Sequence, residues 1–348
     1  ILYLAKNKIN KNINKMSAAM ATATATTANL SEMDAVYGVV FNLGSLLVRI
    51  VLEPVETQSR VQFSKLSSHY YKHSNDPSNQ NIQKTYISEY CSILGSFSFR
   101  LRILSTVCAI VMCLGPSYTW LLLRILYKDK YIDTQAPLVL AWYCLYVFLL
   151  SVNGMIEALR DSVSDVKQLS SKSPTGLTGF MVVTFTFCSI LAYVLVPKYG
   201  ALGIVYSNSM NLILRILFSL HFIAFRGVYP PIIDRFETAK SAFRNSVPKR
   251  TVLMSLFGSG VIAYYASPTD PSAASLATHV IHVIIGALCG VCIVIASLVS
   301  DEELREETFE AFGHSRVFKL LRVSGIIVLL KIVGIKIVEQ GPGSKKRK

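Results

Sequence analysis

Charged residues are scarce in this sequence. Aspartate, glutamate, lysine and arginine together make up 16% of 348 residues, whereas roughly a quarter is usual in a soluble globular domain. Hydrophobic residues make up 52%. A water-soluble fold cannot cover that much apolar surface with so few charges, so the composition excludes an ordinary soluble domain and indicates a membrane protein.

Seven stretches have few charged residues and are about as long as the ~20 residues that cross a bilayer as a helix. They extend over Val36–Val55, Leu101–Leu123, Pro137–Leu159, Thr178–Val196, Ala201–Phe225, Thr251–Ala266 and Leu276–Val299. We therefore predict an all-α polytopic membrane protein with about seven transmembrane helices. The sixth stretch is the shortest, and Pro54 is expected to end or bend the first.

The same runs divide the chain into three parts. Residues 1–35 are rich in lysine and asparagine and then in alanine and threonine, which predicts a disordered leader, and we expect part of it to be an artefact of the gene prediction. Residues 36–300 form the predicted seven-helix membrane lobe. Residues 301–348 form a predicted cytosolic tail that is amphipathic at first and ends in a basic cluster, Lys345 to Lys348.

The formal net charge of +14 is distributed by side of the membrane. The segments that connect successive apolar runs, together with the C-terminal tail, lie alternately on the two sides of the predicted membrane. The segments on one side contain 23 lysines and arginines in total, and those on the other side contain 3. The positive-inside rule places the rich side, including the C-terminus, in the cytosol. Nucleic acid is not an expected partner, because the charges are not gathered on one face with interleaved aromatics.

Signatures of several functional classes are absent from the sequence. It has no GxxxxGK[ST] motif for ATP, no acidic-Arg-Tyr triplet after the third run, and no Asn-Pro-x-x-Tyr in the seventh. A seven-helix receptor is therefore a remote alternative. The seven cysteines are scattered and, with one exception, lie in apolar runs, and the acids of the predicted lumenal loops are too dispersed for a metal site. We expect neither an enzyme nor a cofactor.

The first run contains charges that lipid disfavours. Arg49, Glu53, Glu56 and Arg60 follow at spacings of four, three and four, which predicts one helical stripe. A charge at the bilayer centre costs about 2.5 to 3.5 kcal/mol even on a lenient insertion scale, so the stripe should face a cavity, a partner helix or the interface. We take Arg49 and Glu53 as candidates for lining a cavity.

The third and fifth runs repeat this pattern. Asn153 and Glu157 stand one turn apart in the third, and Asn208, Asn211 and Arg215 share a face of the fifth. We expect Arg215 to pair with a carboxylate such as Glu53 or Glu157. Two interpretations remain open: these groups bind a substrate, or they join helices without any ligand.

Three segments carry a resemblance to a known family. FNLGSLLVRIVLEPVE, AWYCLYVFLLSVNGMIE and GALGIVYSNSMNLILRI, in this order, resemble the Rft-one family of endoplasmic-reticulum proteins, within the multidrug/oligosaccharidyl-lipid/polysaccharide exporter superfamily. The resemblance implies a two-lobe helical bundle in the endoplasmic-reticulum membrane. It also implies participation in moving a dolichol-diphosphate-linked oligosaccharide from the cytosolic to the lumenal leaflet for N-glycosylation. The alternative within this family is a non-transporting accessory role in oligosaccharide-lipid assembly.

The resemblance also implies partners that this sequence does not supply. Family members have about twice as many spans, so the chain corresponds to the C-terminal lobe, and we expect an N-terminal lobe of the same protein as its partner. Membrane lipid and the dolichol-diphosphate oligosaccharide are the other implied partners. The arginines and asparagines named above are the groups that would meet the diphosphate and the sugars.

Overall fold

The computed structural model describes residues 31–73, 80–162, 177–225, 235–268 and 274–305. Within these ranges the regular elements are helices. The leader through residue 30 and the tail beyond residue 305, with the predicted basic cluster at its end, lie outside the described residues. Residues 31–35 are helical, so the leader predicted to extend through residue 35 overlaps the first helix.

The first helix, α1, covers residues 31–47 and continues through a π-helical turn, Val48–Leu52, into α2, Glu53–His73. The other helices are α3 (Gln80–Tyr127), α4 (Ala136–Ser162), α5 (Leu177–Tyr199), α6 (Ala201–Phe225), α7 (Arg235–Ser246), α8 (Arg250–Ala266) and α9 (Leu276–Ser300). A short 3-10 turn, Lys128–Lys130, follows α3.

Six segments of the described chain are helical, long and apolar enough to cross a membrane. They correspond to all the predicted spans except the sixth. That span is present as α8, an apolar helix of 17 residues, at the short end of the range that crosses a bilayer. The chain is thus an all-α polytopic membrane protein. Helix α3 has 48 residues and extends well beyond its predicted span toward its N-terminal side.

Helix α3 is the central element of the bundle. It packs against α2, α4, α7, α8 and α9, while α6 packs on α4 and α5 packs on α6. One buried core therefore joins α1 to α4 with α6 and α7, and a second joins α3 to α8 and α9. The lobe is organised around α3, because both cores use its side chains.

Helices α5 and α6 form a tight hairpin. Gly200 ends α5 with a positive φ of 60°, a conformation that glycine adopts at little cost, and its N–H donates to the carbonyl of Val196 at 2.8 Å. A Cβ on Gly203 would lie 2.7 Å from backbone atoms of the preceding helix, so glycine is needed where the two backbones approach. Of the α5 side chains, only Thr184 and Cys188 are buried, as expected for a helix that faces lipid on most sides.

Arg102 ties three parts of the chain together at one end of the bundle. Its guanidinium forms ion pairs with Asp301 at 2.5 Å and Glu303 at 2.7 Å, and Nη1 donates to the carbonyl of Asn245 at 3.2 Å. These contacts join α3, the last turn of α7 and the segment that follows α9. The arrangement agrees with the predicted alternation, in which these three connections lie on the same side.

Candidate functional site

The first, third and fifth spans run parallel and carry all the predicted site residues. Two glycines allow close contact between the first span and the third span. A Cβ on Gly44 would lie 2.0 Å from a ring atom of Tyr143, and a Cβ on Gly154 would lie 2.4 Å from Glu56 Oε2. Each of the two spans therefore has a glycine that contacts a large side chain of the other. Gly44 contacts Tyr143 and Glu56 contacts Gly154, so the residue numbers increase in the same direction along both helices, as they do in parallel helices.

Glu157 and Arg215 join the third and fifth spans. Nε and Nη2 of Arg215 donate to Glu157 Oε1 at 2.9 and 2.8 Å, and Nη2 also donates to Oε2 at 2.8 Å. The Glu157 side chain is 7% exposed and that of Arg215 is 31% exposed. The expectation that Arg215 pairs with a carboxylate is thus confirmed, with Glu157 as the partner.

The ion pairs continue from Glu157 toward α2 through residues that the sequence did not single out. Arg160, 4% exposed, lies 3.7 Å from Glu157 Oε1 and donates to Asp161 Oδ1 at 2.7 Å and to Ser219 Oγ at 2.8 Å. Asp161 in turn accepts a hydrogen bond from Arg60 at 2.9 Å. The predicted third span ended at Leu159, so Arg160 was not expected to lie in the helix, which continues to Ser162. The spacing of three residues between Glu157 and Arg160 is the signal that could have placed both on one helix face.

Arg60 closes the chain of contacts on its own helix by donating to Glu56 Oε1 at 2.8 Å. We call this set the ionic chain, and its members are Glu56, Arg60, Asp161, Arg160, Glu157 and Arg215. It has three acids and three arginines, so the charges cancel across α2, α4 and α6. An apolar bundle tolerates such groups because each arginine has a carboxylate partner.

The asparagines have different surroundings. Asn208 Nδ2 donates to the hydroxyl of Tyr37 at 3.3 Å, which links the fifth span to the first. Asn211 is half-buried on the same helix. Asn153 is 3% exposed, and its Oδ1 accepts no hydrogen bond from the described residues. Tyr37 could not be identified from sequence because a tyrosine in the first helix carries no signal of its partner.

Arg49 and Glu53 lie apart from the ionic chain. Arg49 belongs to the π turn, in which the N–H of Glu53 bonds to the carbonyl of Val48, five residues back. The extra residue rotates the preceding helix by roughly 100° relative to α2, so the predicted single stripe is divided. Both side chains are exposed.

The histidines of α9 contact aromatic rings of α3. His282 stacks on Tyr118 at 4.3 Å, and His279 stacks on Trp120 at 5.6 Å. The Tyr118 hydroxyl donates to the carbonyl of His282 at 2.9 Å. Groups of three or more potential metal ligands are absent from the part of the chain that the structure describes. The seven cysteines are free thiols.

Comparisons with known proteins identify relatives of this chain. A family model described as Rft protein matches residues 22–311. Among curated relatives, the Man(5)GlcNAc(2)-PP-dolichol translocation protein RFT1 of Drosophila melanogaster is 26% identical over 257 residues, covering 73% of this chain and 41% of the relative. The proteins of the same name from Dictyostelium discoideum and Mus musculus are 26% and 28% identical over 272 and 188 residues, with coverage of 74% and 54% of this chain and 44% and 32% of the relatives.

No solved structure matches the chain. The chain spans less than half the length of the curated relatives described above. The family match covers all the residues that the structure describes, including every residue of the ionic chain. The chain therefore belongs to the Rft protein family.

Proposed function

We propose that this chain takes part in translocating a dolichol-diphosphate-linked oligosaccharide from the cytosolic to the lumenal leaflet of the endoplasmic-reticulum membrane. The observation that carries the proposal is the polar surface shared by three parallel spans. The names of the curated relatives supply the substrate class. A purely lipid-facing bundle has no need of so many polar groups at this depth.

The substrate's chemistry fits the residues of this surface. A diphosphate requires cationic donors, the sugars require amide and hydroxyl groups, and the polyisoprenoid requires an apolar opening. We propose that seven residues line the binding surface, namely Arg49, Glu53, Asn153, Glu157, Asn208, Asn211 and Arg215. Arg49 is the leading candidate for the diphosphate, because its side chain is exposed. Arg215 directs Nε and Nη2 to Glu157, so its first role is to hold the third and fifth spans together.

We further propose that the chain acts as one lobe of an exporter-type bundle. The other wall of the cavity then comes from an N-terminal lobe of the same protein, which is consistent with the fraction of the relatives' length that this chain covers. The charge asymmetry of the loops supports a cytosolic C-terminal end. We propose no catalytic role for the chain. Transport would either use the energy of a gradient or let the glycolipid equilibrate between the two leaflets without an energy source.

The experiment that tests transport uses the full-length protein in liposomes with labelled oligosaccharide-diphosphate-dolichol. We expect the label to exchange between leaflets faster than in protein-free liposomes. Folded, correctly oriented protein that leaves the exchange rate unchanged would contradict transport. If that same protein still complements a deficient cell, it acts as an accessory factor of oligosaccharide-lipid assembly.

The role of Arg49 is tested in the same complementation assay. Arg49→Ala should abolish complementation and leave the amount of protein unchanged, because this exposed side chain is outside the ionic chain. Lys130→Ala removes an exposed positive charge elsewhere and should complement normally. Arg215→Ala should lower both protein level and complementation, because it leaves Glu157 with Arg160 alone. Normal complementation by Arg49→Ala would remove that residue from the proposed site.

A further inference from the structure

Helix α7 packs across α3 with one fixed face. Ser98 Oγ donates to the carbonyl of Ala242 at 2.9 Å, and the rings of Phe97 and Phe243 meet edge to face at 5.4 Å. Ala242 and Ser246 are buried in this contact. The face of α7 that contacts α3 is therefore known, and the opposite face of the helix is directed away from α3.

The other face of α7 is basic. Lys240 and Arg244 lie one turn apart and are exposed, and Val247, 54% exposed, follows on the same side. Arg250 is exposed at the start of α8. From residue 235 to residue 250 the sequence has five basic residues and one acidic residue, Glu237. We call Lys240, Arg244, Val247 and Arg250 the α7 basic face.

From its place between two apolar helices we infer that this face lies at the edge of the membrane. Helix α7 lies in the connection between the apolar helices α6 and α8. Lys249, next to Arg250, donates to the carbonyl of Ser300, where the last span ends. An amphipathic helix at this level has its basic groups beside lipid headgroups.

We propose that the α7 basic face binds the anionic phospholipid headgroups of the adjoining leaflet. Positive side chains near an anionic membrane surface are attracted to it, and the attraction decreases within a Debye length. Val247 stands among these charges and enters the boundary between headgroups and acyl chains. This interaction is independent of the glycolipid and adds a lipid-recognition surface outside the three parallel spans.

The test uses the full chain in nanodiscs of phosphatidylcholine with a graded fraction of phosphatidylserine. Native mass spectrometry measures how many phosphatidylserine molecules stay bound at each fraction. Lys240→Gln with Arg244→Gln removes two charges from the α7 basic face. Lys128→Gln with Lys198→Gln removes two exposed charges at the opposite end of the bundle, one in the turn after α3 and one in the last turn of α5. Lys240→Arg with Arg244→Lys keeps the charge, and thermal melting checks that every variant is folded.

We expect the first pair to weaken phosphatidylserine retention by roughly ten- to thirtyfold, and the charge-keeping pair to retain it. Raising the salt from 0.1 to 1 M should reduce retention by the wild-type chain. Equal losses in the α7 pair and the Lys128/Lys198 pair, or unchanged retention in a folded α7 pair, would overturn the proposal. Soluble glycerophosphoserine that competes as well as the bilayer lipid would also overturn it, because the site would then recognise a free phosphate group.

Discussion

Replacing Glu157 with glutamine should destabilise the lobe strongly. The Glu157 carboxylate is 7% exposed and accepts hydrogen bonds from Arg215, while Arg160, 4% exposed, lies 3.7 Å away. Glutamine keeps the shape and removes the charge, so it leaves two arginines with one fewer carboxylate. Removing one partner of a buried pair costs about 3 to 5 kcal/mol. Arg215 is 31% exposed and can regain some solvation, so we expect about 3 kcal/mol.

Thermal unfolding of the full chain in nanodiscs measures this loss. At a few degrees per kcal/mol for a chain of this size, the apparent Tm should fall by roughly 6 to 12 °C. Glu53→Gln is the matched control, because the same change at an exposed position should cost less than about 0.5 kcal/mol.

Exchanging the two charges tests whether the loss comes from the ion pair. Glu157→Arg combined with Arg215→Glu should recover part of the stability lost in the single variants. The recovery is incomplete because Arg160 then lies beside another arginine. The ionic chain would be irrelevant to stability if Glu157→Gln and Glu53→Gln melted at the same temperature.

Three further predictions concern contacts and topology. Gly44→Ala should lower the Tm, because its Cβ would lie 2.0 Å from a ring atom of the buried Tyr143. Gly38→Ala, with no neighbour within 4 Å of the new Cβ, should not lower it, and equal Tm values for the two variants would contradict the glycine contact. Cys91, exposed on the part of α3 before its span, should react with a membrane-impermeant maleimide from the cytosolic side of sealed vesicles, and labelling only from the lumenal side would reverse the proposed orientation. Tyr37→Phe should cost only about 0.6 kcal/mol, the average for a hydrogen bond between membrane helices, and a loss of several kcal/mol in thermal unfolding would show that the Tyr37 hydroxyl has a larger role.

The apolar helices and their order could be predicted because each span needs a long apolar run, whereas the polar helix α7 was not predicted. The predicted fifth span, Ala201–Phe225, has the same bounds as α6, and the third, fourth, sixth and seventh agree within three residues at each end. The first was predicted to end at Val55, whereas the helix continues through the π turn to His73. The ends of α3 could not be predicted in this way. Its N-terminal part extends past the apolar run and packs against α2 and α7, so tertiary contacts determine its length.

The candidate site was predictable in part. A deep arginine in the fifth span implied a carboxylate partner, and the spacing of Asn153 and Glu157 placed them on one face. The choice of Glu157 over Glu53 was not predictable, because it depends on the π turn. That turn leaves Glu53 exposed, while the parallel packing of the third and fifth spans places Glu157 beside Arg215.

The sequence by itself determined the class of protein, the spans, the distribution of charge between the two sides, and the resemblance to the Rft family. These follow from composition, apolar run length and local motifs, which are properties of adjacent residues. Only the tertiary structure decided which charges neutralise one another, because two contacts of the ionic chain join residues that are 58 and 101 positions apart in the sequence. Burial then determines their roles: Arg160 and Glu157 are held inside the lobe, whereas Arg49 stays exposed.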